Sequence, residues 1–107
     1  MINDSNFKEK LKGIQMIEVS GESCANCLTL MPMLHEIAEE RGDIELIHIE
    51  AQEDTTNFLK EYEIDRVPTI LLMDNGTVFA RAVGFQPKEI FELWLDAMLE
   101  DYKRTKA

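Results

Sequence analysis

The chain has 107 residues, 45% of them hydrophobic, which suits one compact domain spanning residues 1–107. Its formal net charge of −10, from 21 acidic against 11 basic residues, repels phosphate backbones and argues against nucleic acid as a partner. No apolar run approaches the ~20 residues of a membrane span, and the opening MINDSNFKEK lacks the apolar stretch of a secretory signal. The expectation is therefore a cytoplasmic protein with no membrane association.

In chain order, Asp4 or Ser5 can cap a short helix through about Lys12, ended by Gly13. Ile14 to Val19 reads as a strand. A long helix follows Ser23 and runs to about Arg41, where Gly42 stops it. Cys27, Leu30, Met31, Leu34, Ile37 and Ala38 share one face of that helix. Ile44 to Glu50 reads as a second strand, and Thr55 or Thr56 opens a short helix through Tyr62. Pro68 to Met73 and Thr77 to Val83 are strands joined by Asp74-Asn75-Gly76, a strong hairpin turn. Pro87, suited to a helix N1 position, begins a last helix with Ile90, Phe91, Trp94, Leu95, Met98 and Tyr102 as its apolar stripe. A helical crossover makes the first two strands parallel, and the final hairpin is antiparallel. The fold class is α/β, a mixed four-stranded sheet with helices on both faces.

The chain's two cysteines, in Cys24-Ala25-Asn26-Cys27, stand where the first strand hands over to the long helix. Thiols three positions apart close into a small ring with little chain movement. Unpaired N–H groups and the positive end of the helix dipole favour the thiolate of the first. The pair therefore reads as a reversible dithiol–disulfide switch, against the plainer reading of two small buried hydrophobes. Zinc is a weaker competitor: His35 lies two turns beyond Cys27, too far to share its ion, and no metal or other cofactor is expected. Glu18 alternates with Ile14 and Met16. It is either a partly desolvated carboxylate with a raised pKa, able to accept the Cys27 proton, or a solvated strand end. His48 alternates with Leu46 and Glu50 and carries no assigned role, though a central position would oblige it to find a hydrogen-bond partner. Leu28 and Met33 lie off the buried stripe, either widening an apolar surface near the sulfurs or packing under neighbouring loops.

This order of elements, with CxxC after the first strand, resembles the thioredoxin superfamily. Pro32, five residues after Cys27, fits that family's helix-kinking proline. Val67-Pro68-Thr69 fits the loop whose proline is cis and faces the dithiol, Asn75-Gly76 the hairpin turn, and Gly84 the glycine beside the substrate groove. Glu18, six residues before Cys24, falls where thioredoxins bury an aspartate. The chain departs from the pattern in having Ser23 where tryptophan is usual and Ala-Asn between the cysteines, and in lacking the extra N-terminal strand.

The resemblance implies a thiol–disulfide oxidoreductase with Cys24 as exposed nucleophile, Cys27 as resolving thiol and Glu18 as proton acceptor. It implies a cis Pro68 that sets the Val67 backbone beside Cys24, where propensity alone favours a trans proline at a strand start. Val67, Pro68 and Gly84 would then receive an extended substrate strand. The implied partners are disulfide-containing proteins and a separate reductase as electron donor, with the protein itself a monomer. With no positive charge in Ala-Asn and with Glu22 nearby, the Cys24 pKa is expected to be only modestly lowered, giving a reductant-leaning protein. Two rivals remain: a redox-inert binding module on the same scaffold, and a thiol switch dedicated to one partner. Trp94, the sole tryptophan, is placed in the core of the last helix, remote from the sulfurs. Reduction should change its fluorescence emission little, and a large redox-dependent change would contradict that placement.

Overall fold

A computed structural model of the protein describes residues 2–106. Its elements are α1 (Phe7–Lys10), β1 (Ile14–Ser20), α2 (Ala25–Arg41), β2 (Glu45–Glu50), α3 (Thr56–Glu61), β3 (Thr69–Asp74), β4 (Thr77–Val83) and α4 (Lys88–Lys106). The sheet order is β2-β1-β3-β4, with β1 parallel to β2 and antiparallel to β3, and β3 antiparallel to β4. This is the mixed four-stranded α/β sheet read from the sequence.

Strand side chains alternate between two apolar layers. Met16, Ile70 and Leu72 pack with α2 and α4 through Leu34, Phe91 and Leu95. Ile17, Val19, Leu71 and Met73 point the other way and meet Phe7 of α1 and Phe58 of α3. Both faces of the central strands are covered, so Ile70 to Met73 is an unbroken buried apolar run rather than an alternating one. Glu18 shares the face of Met16, beneath α2, at the end of β1 that leads to the cysteines.

Local chemistry fixes the ends of these elements. Gly42 takes φ 70° and donates its N–H to the Ala38 carbonyl, which closes α2 in a left-handed cap. Asn75 and Gly76 have φ 52° and 82°, the pair of positive values that a type I′ hairpin turn requires. The Asn75 side chain also accepts the Gly13 N–H at 2.7 Å, tying the hairpin to the start of β1. At the far end of α4, Asp74 accepts hydrogen bonds from Tyr102 and Lys106, both at 2.6 Å.

Four boundary expectations change. Asp4 does not cap α1, which begins at Phe7 after Asn6 and ends at Lys10. Its carboxylate instead accepts the backbone N–H groups of Asn57 and Phe58, at 3.1 and 3.0 Å. It thereby supplies from a distant segment the cap that the Thr55 side chain does not give α3. Pro87 stands one residue outside α4, its carbonyl accepting the Phe91 N–H. Ile90, expected in the apolar stripe of α4, is 53% exposed, whereas Leu99, outside that stripe as read, is 2% exposed. Trp94 is partly buried, with its ring 5.4 Å from that of Phe91.

The cap yields a stability prediction. Asp4→Ala should destabilise the protein by about 1 kcal/mol, as N-cap losses do, and Asp4→Asn should recover most of it. Urea unfolding midpoints read by circular dichroism check both variants.

Candidate active site

β1 ends at Ser20, and the short turn through Ser23 swings the chain into α2 with Cys24 as its N-cap residue. The Cys24 sulfur accepts the Cys27 N–H at 3.2 Å, the place a capping oxygen normally fills. No acidic residue occupies the first turn of α2, so nothing there opposes the positive end of its dipole. Cys24 and Cys27 are joined in a disulfide, with their Cα atoms 5.3 Å apart. Cys24 is partly exposed, while Cys27 is 3% exposed.

A cavity of about 520 Å³ opens beside the disulfide, with Leu28 and Met31 on its α2 side and Ser20, His48 and Glu50 below. Leu28 is 78% exposed, whereas Met33 packs against the core, so the two candidate surface residues part company. Among the described residues no cluster of His, Cys, Asp or Glu is arranged to hold a metal ion.

The Val67–Pro68 peptide is cis, as the resemblance implied and bare propensity did not. The Gly84 N–H donates to the Pro68 carbonyl at 2.9 Å, which ties Gly84 to the cis proline loop, where Val67 is half-buried and Pro68 buried. A Cβ on Gly21 would lie 2.9 Å from the Val67 side chain, so the missing side chain lets this loop close against the turn that leads to Cys24. None of the three lines the cavity, which opens toward β2 instead.

Glu18 has no exposed surface at all, which rules out a solvated strand end. It is held by two partners. Ser20, two residues on and so on the same face, donates its hydroxyl to Oε2 at 2.5 Å. His48, directly opposite in the parallel β1–β2 register, places Nδ1 2.6 Å from Oε1. The other ring nitrogen of His48 lies 2.7 Å from Glu50 Oε1. Sequence reasoning gave His48 no part in the site. The alternation in β2 was visible, but the strand register that sets His48 opposite Glu18 was not.

Burial alone would lower the His48 pKa, but its hydrogen bonds to Glu18 and Glu50 outweigh that and raise it above its usual 6.5. A raised folded-state value means that the charged imidazole stabilises the fold fully below about pH 6.5 and stops doing so above the folded pKa. The unfolding midpoint should therefore fall as pH rises through that window, and His48→Gln should lack this fall. A His48 ring proton titrating below 6.5 by NMR would contradict it.

The profile of the thioredoxin family matches residues 1–97. Thioredoxins of Staphylococcus aureus, among them those of strains Mu50, N315 and COL, are 29% identical to the chain over 100 residues, covering 92% of it and 95% of their own length. A cysteine pair closed at a helix start, a cis proline loop set against the turn before it and a buried carboxylate at the end of the adjoining strand accompany that match. The chain belongs to the thioredoxin family and is a thiol–disulfide oxidoreductase.

Proposed function

We propose that the protein reduces disulfides in other proteins, with Cys24 as attacking sulfur and Cys27 as resolving sulfur. The Cys24 thiolate attacks a substrate disulfide, forming a mixed disulfide and expelling the first substrate thiolate. Cys27 loses its proton and attacks Cys24, so the Cys24–Cys27 bond forms and the second substrate thiolate leaves. The unequal exposure of the two sulfurs carries this assignment: Cys24 is open to the surface and Cys27 is 3% exposed. The Cys27 N–H directed at the Cys24 sulfur, with the α2 dipole behind it, favours the thiolate on Cys24.

Glu18 takes the Cys27 proton in this reading. Its placement on the α2 face of β1, fully desolvated, supports a carboxylate acting as base rather than as a surface charge. The backbone at Val67, with Pro68 and Gly84 beside it, pairs in this reading with the extended substrate segment that carries the disulfide. Electrons return from a separate reductase, so the protein works as a carrier in an electron-transport chain. The setting is the cytoplasm, and the protein acts there as a monomeric single domain. An acidic surface at a net charge of −10 and the lack of any membrane-spanning helix among the described residues are consistent with that setting.

Cys24→Ser should bring insulin-disulfide reduction down to the uncatalysed background. Cys27→Ser should retain the first attack and accumulate a mixed disulfide visible by mass spectrometry. Mixed disulfides trapped through Cys27 in the Cys24→Ser protein would reverse the assignment, and full activity in both variants would end it.

A further inference from the structure

The polar group under the cavity extends beyond Glu18, and its outer half has no part in the reaction described so far. Glu18 and Ser20 on β1 stand opposite His48 and Glu50 on β2, forming a square on the α2 face of the sheet. Along three of its edges run the Ser20–Glu18, Glu18–His48 and His48–Glu50 contacts, at 2.5, 2.6 and 2.7 Å. An imidazole nitrogen this close to a carboxylate oxygen needs a proton between them, because two lone pairs would repel. Glu18, His48 and Glu50 satisfy both ring contacts only when they hold two protons among them.

Access to water rises along the row: the side chain of Glu18 is 0% exposed, that of His48 30% and that of Glu50 37%. His48 and Glu50 line the cavity that Cys24 and Cys27 border, while Glu18 does not. Ser20 also borders the cavity but is only 4% exposed, so the wetter way from the buried carboxylate to solvent runs through the imidazole.

We propose that His48 is a positioning residue that relays protons between Glu18 and solvent through Glu50, and so gates the attack of Cys27 on the mixed disulfide. This rests on Glu18 accepting the Cys27 proton. As the Cys27 S–H bond breaks, its proton passes to Glu18, and the row holds three protons instead of two. One leaves at the Glu50 end for water, which restores the original count and both ring contacts. Meanwhile the Cys27 sulfur bonds to Cys24, the Cys24–substrate bond breaks, and the departing substrate thiolate takes a proton from solvent. The groups facing the ring are Glu18 from β1 and Glu50 from β2. The two cysteines at the start of α2 share its cavity, and Lys10 at the end of α1 with Glu45 of β2 shares a shallow hollow on its other side.

Rapid mixing of the reduced protein with an aromatic disulfide that releases thionitrobenzoate separates the two sulfur steps. One equivalent is released when Cys24 attacks and a second when Cys27 resolves. Between about pH 5.5 and 9, the second rate of the unaltered protein should show an inflection at the His48 titration. His48→Gln and His48→Lys should both lose that inflection, and His48→Gln should slow the second release about 10-fold relative to the first. His48→Lys keeps a cation between the carboxylates, so it remains informative if His48→Gln unfolds. Profiles for both variants that superimpose on the unaltered protein overturn the relay. Glu18→Gln separates the two ideas. A slowed second release there, with His48 variants unaffected, removes the relay alone. No change in Glu18→Gln removes Glu18 as proton acceptor and the relay with it.

Discussion

A carboxylate with no exposed surface, set in a central strand beneath a helix, is the constraint around which this end of the sheet is organised. Burying an ionised group without partners costs several kcal/mol, so what surrounds Glu18 is not free to vary. Ser20 meets one oxygen because side chains two apart on a strand share a face. His48 meets the other because the parallel β1–β2 ladder sets the two residues opposite each other. A slip of one residue would put Ile47 or Ile49 there and turn the imidazole to the opposite layer, leaving a carboxylate oxygen unpaired. The polar pair thus specifies register in a sheet whose other contacts are largely apolar and tolerant of exchange.

The same strand carries the sulfur chemistry. Cys24 stands six positions after Glu18, and over that stretch the backbone changes from extended strand to helix N-cap. Gly21 allows this turn to lie against Val67, so the cis proline loop and the dithiol turn are braced on each other rather than floating at the sheet's edge. The helix then contributes its free N–H groups at the point where the first sulfur needs them. Buried carboxylate, sulfur pair and cis proline loop are held by adjoining backbone, which limits how far any one can drift from the others.

Much of this was readable from local sequence. The Asn75-Gly76 turn, the stop at Gly42 and the alternation through Ile14, Met16 and Glu18 depend on residues close in the chain, and each stands where periodicity and turn chemistry put it. The Cys24-Ala25-Asn26-Cys27 turn was legible for the same reason. What escaped were relations between distant segments. Asp4 caps a helix more than fifty residues away, where sequence offers only the helix next to it. Ile90 fits the helical stripe by spacing yet is half-exposed in the folded chain, and Leu99, outside that stripe as read, is buried. His48 looked unremarkable because a histidine on an edge strand gains meaning only from the residue it faces, and strand register is a property of the folded sheet.

The position of that histidine bears on how the redox step is balanced. Making a disulfide from two thiols moves two electrons between sulfurs and also leaves protons to be placed. A buried carboxylate alone can take one proton but must lose it again before the next cycle. In this chain the cavity beside the dithiol stays open where Ser23, itself exposed, occupies the position at which thioredoxin-like sequences usually carry tryptophan. Water can therefore approach His48 and Glu50 from the side on which the sulfurs react. The gradient from a dry carboxylate to a half-wet imidazole to a wetter carboxylate then gives the proton a route out that need not cross the loop surface where the substrate strand would lie.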